Sequence, residues 1–145
     1  MRSIWTAAWV AVVVLACQPA WAADAPVQVR IRVLQGFRQG TPGLPPGLDD
    51  LRAQLSATAY VRWEQAGEVQ SAMQPRKPVS VPLPGGESVS VTLVESRPGA
   101  ATFEVSAPAS RTQSRVTVAP GKRIVQQVTP ERGGSAWFVT IKAGG

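Results

Sequence analysis

The side chains able to do chemistry are few in this chain, and what is missing narrows the choice sharply. Its 145 residues include no histidine and one cysteine, Cys17. Without histidine there is no side chain with an ordinary pKa near neutrality, and the commonest metal ligand is gone. No Ser–His–Asp or Cys–His set can be assembled. The lysines are Lys77, Lys122 and Lys142, and none stands three residues after a serine, so a Ser-x-x-Lys dyad is absent. Glu64, Glu68, Glu87, Glu95, Glu104 and Glu131 are the material for a glycosidase-type carboxylate pair. Each falls at a strand or turn position that a solvent-facing role explains.

Other motifs fare no better. Asp49 and Asp50 open an apolar helical pattern, where carboxylates interact favourably with the helix dipole. Pro84-Gly85-Gly86 is a turn and not a phosphate cradle, because no Gly-Lys-Ser/Thr follows. Zinc and iron lack their usual ligand set, and no acidic calcium loop is present. The sequence therefore reads as non-catalytic, with no cofactor and no metal.

The N-terminus carries the most specific signal. Arg2 is a basic n-region, residues 4–16 are apolar and uncharged, Pro19 ends the run, and Ala20-Trp21-Ala22 is a small-x-small cleavage site. The expectation is a cleavable signal peptide at residues 1–22 and one domain at residues 23–145, placed in the periplasm. The apolar run is short for a membrane span of about 20 residues. An alternative stands beside it: Val14-Leu15-Ala16-Cys17 is similar to a lipobox, in which Cys17 is lipidated and the protein becomes a membrane-anchored lipoprotein. Beyond Cys17 there is no thiol, so the domain has to fold on its core alone.

Charge bears on partners. Lys and Arg number 15 against 9 Asp and Glu, a net charge of +6. Such a balance favours anionic polymers or lipid surfaces, or serves solubility. Export argues against nucleic acid.

The elements that must position any site are mostly strands. Val27, Val29, Ile31 and Val33 alternate with Gln28, Arg30 and Arg32, which predicts a strand with Arg30 and Arg32 facing solvent. Four glycines and three prolines from Gly36 to Gly47 make the longest irregular segment, carrying Phe37 and Arg38. Leu48, Leu51 and Leu55 form the apolar stripe of the one predicted helix, residues 48–57. Ala59, Val61 and Trp63 alternate with Tyr60, Arg62 and Glu64, and Gln65-Ala66-Gly67 reads as a turn. Arg76-Lys77-Pro78 ends a short strand. The segment 79–93 is the best hairpin, turning at Pro84-Gly85-Gly86. Further turns at Arg97-Pro98-Gly99, Pro120-Gly121 and residues 130–134 separate later alternating runs, the last being Trp137, Val139 and Ile141. Eight or nine short strands with a turn every ten residues or so predict a mainly β fold. It would be a small antiparallel β-sandwich or partly open barrel, with one short helix near the start of the domain. Consecutive hairpins predict a meander, with the helix capping an open end or packed on one sheet.

This layout resembles a family of small exported β-rich proteins of Gram-negative bacteria. The likeness rests on the LDDLRAQL helix, the VSVPLPGGESVSVTL hairpin, the Pro120-Gly121 turn and the closing AWFVTI strand. The chain departs from the family where PERGGSA stands in place of a Gly-Gly-Pro-like turn. The resemblance implies the fold and carries no activity and no catalytic residues.

Taken together, these features predict an accessory or adaptor domain binding an envelope protein through a sheet edge or the Pro/Gly loop. Phe37, Arg38, Arg76 and Lys77 are its candidate contacts. The alternative is a module for lipopolysaccharide or an acidic glycan. An exposed sheet edge would equally support a homodimer.

Overall fold

The computed structural model describes residues 26–144. The expected signal peptide and Cys17 lie outside the described residues. Eight strands form two four-stranded antiparallel sheets packed face to face. The strands are β1 (Val27–Phe37), β2 (Arg62–Met73), β3 (Val79–Pro82), β4 (Ser88–Arg97), β5 (Ala100–Ala107), β6 (Thr112–Val118), β7 (Arg123–Gln127) and β8 (Ser135–Ala143). The first sheet runs β2-β1-β8-β7 and the second β3-β4-β5-β6. The expected sandwich is what forms.

The second sheet is the predicted meander, built from hairpins. The first is not a simple meander: β1 pairs with β8, Ile31 opposite Ile141, and the two terminal strands become its centre. Local turn signals cannot reveal such a pairing across the whole chain. Alternation does reveal which side chains face the core. Val29, Ile31 and Val33 of β1, Val89, Val91 and Leu93 of β4, Phe103 and Val105 of β5, and Val139 and Ile141 of β8 fill one cluster between the sheets. Burying an aliphatic side chain of this size stabilises the fold by about 1.5–3 kcal/mol.

Two expectations need correction. Gln65-Ala66-Gly67 is not a turn, since β2 runs through it. Val33 pairs with Gly67 and Leu34 with Gln65, which leaves Ala66 as the extra residue of a β-bulge. A bulge accommodates the same small residues as a turn while keeping the strand intact. Arg32 does not face solvent either. It is 2% exposed, because the outer face of the first sheet is covered.

That cover is the helical segment. It begins as a 3-10 helix, Pro46–Leu51, and continues as one turn of α-helix, α1 (Arg52–Ser56). Pro46, with no N–H to lose, suits the first position. The predicted stripe of Leu48, Leu51 and Leu55 is buried and packs with Leu34, Tyr60, Trp63, Ala136 and Phe138 in a second cluster outside the first sheet. The upper halves of β1 and β8 are thus buried on both faces.

Candidate functional site

The helical segment is tied to the sheet by an ionic contact. Asp50 takes two hydrogen bonds from Arg32, Nη1 to Oδ1 at 3.2 Å and Nη2 to Oδ2 at 2.6 Å. Arg32 Nη1 also donates to the Gly47 carbonyl at 3.1 Å, and Arg123 Nε lies 2.5 Å from Asp50 Oδ2. The Arg32 hydrogen bonds hold the Asp50 carboxyl below its usual range, with the charges of Arg32 and Arg123 adding to the effect and desolvation opposing it. This contact is an anchor, and it leaves Asp50 committed to structure.

Between the helical segment and β2 lies a cleft of about 390 Å³. Pro42, Gly43 and Leu44 form one wall, Arg52, Leu55 and Ser56 another, and Tyr60, Val61 and Trp63 the third. Beneath it Tyr60, Trp63 and Phe138 pack edge to face, with ring centroids 4.9–6.0 Å apart. Such pairs contribute about 0.5–1.5 kcal/mol each beyond area burial. Gly36 makes the arrangement fit: a Cβ there would sit 3.0 Å from ring atoms of both Trp63 and Tyr60. Val61 is the exposed large apolar side chain among the described residues, at 41%. Val61 borders the concave surface of the cleft.

The cleft adjoins a sheet edge. β2 is the outermost strand of its sheet. Its first residues already accept an extended residue: Gly43 and Arg62 form an isolated parallel bridge. The Gly43 N–H donates to the Val61 carbonyl at 3.2 Å, and the Trp63 N–H donates to the Gly43 carbonyl at 3.1 Å. Beyond Trp63 the edge of β2 carries no further strand among the described residues. Glu64 and Glu68 on this strand and the Ala66 bulge discourage indiscriminate pairing.

Of the four sequence-predicted contacts, the structure brings two to this region. The Arg62 guanidinium lies over the Phe37 ring at 4.0 Å, and that of Arg38 over Tyr60 at 5.3 Å. Arg38 is also ion-paired with Glu131. The Arg38 hydrogen bond holds the Glu131 carboxyl below its usual range. Burial, with the Glu131 carboxylate adding to it, pushes the Tyr60 hydroxyl up. Arg76 and Lys77 are not brought there. Val27 pairs with Met73 and Phe37 with Arg62, so the Arg76-Lys77 turn lies at the opposite pole. At about 3.3 Å per residue along β1 the separation is roughly 30 Å.

Sequence reasoning missed Tyr60, Val61 and Trp63 as site residues. Strict alternation puts Val61 and Trp63 on one face, but β2 begins only at Arg62. The chain before it is irregular, so Tyr60 and Trp63 share a cluster while Val61 turns outward. The aromatic pair Tyr60 and Trp63, spaced by three beside the Pro/Gly loop and the leucine stripe, was the available signal. No family model, no curated protein and no solved structure matches the chain.

Proposed function

We propose that this chain is a non-catalytic interaction domain of the cell envelope that takes up an extended segment of a protein partner along β2. The observation that carries the reading is the juxtaposition of an open strand edge with an aromatic-floored cleft at whose rim Val61 is exposed. Strand addition draws affinity from main-chain hydrogen bonds and specificity from pockets that receive alternate side chains. Gly43 is an internal precedent, since its backbone already pairs with the start of β2. A partner strand would continue that pairing along residues 64–73 and place an apolar side chain in the cleft. Export to the periplasm, by signal cleavage or as a lipoprotein through Cys17, is the expected setting for such an adaptor.

The test is co-purification with an affinity-tagged chain expressed in its native cells. The expected result is one envelope protein retained in near-stoichiometric amount by the wild type and lost by Val61→Asp. A variant that keeps the same partner at the same yield contradicts the reading. So does a wild type that only captures a second copy of itself, which would make the edge a homodimer interface.

A further inference from the structure

The two poles of the sandwich differ in charge. At the pole away from the cleft stand the β2–β3, β4–β5 and β6–β7 connections and the described ends of the chain, Pro26 and Gly144. All three lysines of the protein are here. Lys77 and Lys122 are exposed on two of these connections, and Lys142 is half-buried near the end of β8. Arg76, Arg97, Arg30 and Arg123 join them, against Glu68, Glu95 and Asp50. The cleft pole is nearly balanced. There Arg38, Arg52, Arg62 and Arg132 each face a carboxylate, those of Glu131, Asp49, Glu64 and Glu87, and Arg111 is the exception.

The lysines have no such partners: no carboxylate pairs with Lys77, Lys122 or Lys142 among the described residues. Lys142 has a further peculiarity. It stands directly opposite Arg30 on β1 and Arg123 on β7, so three cations form one row across three adjacent strands. Like charges in register oppose one another. Arg30 is offset by Glu68 and Arg123 by Asp50, which leaves Lys142 uncompensated. Beside it, Gln28, Arg30, Gln70 and Gly144 line a shallow open depression with Lys142. A row that costs stability and faces outward is accounted for by an anion outside the fold.

We infer that this lysine-bearing pole rests on an anionic phospholipid surface and so directs the cleft away from the bilayer. Lysine ammonium groups are compact, hydrated charges suited to headgroup phosphates, and no fixed pairing geometry is required of them. The N-terminal sequence joins the domain at the same pole, so a lipid at Cys17 would hold this face against the membrane.

The experiment is co-sedimentation of the purified, cell-processed protein with vesicles of phosphatidylcholine containing 30% phosphatidylglycerol, and with phosphatidylcholine alone. Lys77→Gln/Lys122→Gln/Lys142→Gln is compared with Arg52→Gln/Arg111→Gln/Arg132→Gln from the cleft pole, which removes the same charge. The lysine triple is expected to weaken binding to the anionic vesicles on the order of a hundredfold, the product of about fivefold per surface lysine. The arginine triple is expected to change it less than twofold. On the wild type alone, raising sodium chloride from 0.05 to 0.5 M is expected to release the protein, which keeps the inference testable if a variant folds poorly. Equal losses from both triples, undiminished binding by the lysine triple, or equal binding to both vesicle types would overturn it. Binding to a soluble acidic glycan without binding to anionic vesicles would overturn the lipid assignment.

Discussion

Arg32 and Asp50 meet across the outer face of the first sheet as a two-pronged pair, at 3.2 and 2.6 Å, with Arg32 buried beneath the helical segment. The pair couples the cover of the sheet to its central strand. Removing one partner of a buried pair leaves the other charge desolvated and unpaired. Asp50→Ala is therefore expected to destabilise the domain by about 2–3 kcal/mol. Arg32→Met/Asp50→Ala should recover part of that loss, because an apolar chain of similar length suits the site. Urea denaturation of the four members of the cycle measures the coupling; additive losses would mean that the two residues act independently.

The same pair predicts an acid response. The folded-state pKa of Asp50 is depressed, chiefly by the Arg32 hydrogen bonds. Its contribution is therefore present above the unfolded value of about 4 and is lost as pH falls through the lower folded value. Melting temperature should drop across that window, and Asp50→Asn, which cannot titrate, should start lower and drop less. Thermal melts between pH 2 and 7 give both curves. Parallel curves would remove Asp50 from the acid response.

Gly36 is set by contact and not by backbone freedom. A methyl group at 3.0 Å from the Trp63 and Tyr60 rings forces one ring to move within a packed cluster. Gly36→Ala is expected to cost about 1–3 kcal/mol. The near-ultraviolet circular dichroism of Trp63 should change with it, and an unchanged spectrum with an unchanged melt would contradict the tight fit.

Val61 separates binding from stability. As an exposed residue outside the core clusters it should tolerate Val61→Asp within about 0.5 kcal/mol. Hydrogen exchange gives a second view of the same edge. The Trp63 amide, bonded to Gly43, should be protected in the free protein. Edge-facing amides between residues 64 and 73 should exchange quickly and slow only when a partner strand is bound.

Much of the fold was legible in the sequence because period-two alternation and turn residues report on one strand and its neighbour. Val79 to Leu93 is the clearest instance, a hairpin in register Val81 to Val89. The leucine stripe likewise marked the helical segment and its buried face. What was not legible depends on distant residues. Arg32 reads as a solvent-facing residue until the helical segment closes over it, and no local pattern joins position 32 to position 50. Val125 breaks the alternation of its strand and Phe138 shares a side with Thr140 and Lys142, yet both face the second cluster on the other side of the sheet. The Pro/Gly loop contributes Pro42, Gly43 and Leu44 to one wall of the cleft, a placement that its irregular sequence alone does not specify. No local pattern places Arg76 and Lys77 relative to that loop, and the antiparallel run of β1 and β2 sets them at the far pole.

Binding along β2 is tested by site-specific photo-crosslinking in living cells, with the reactive residue at position 61 or 65 beside the cleft and edge. Position 117, on the outer face of the second sheet, serves as the control. One recurrent adduct with the same envelope protein is expected from positions 61 and 65 and none from 117. Adducts of equal yield at all three positions, or an adduct from 117 alone, would contradict it and move the interaction surface off β2.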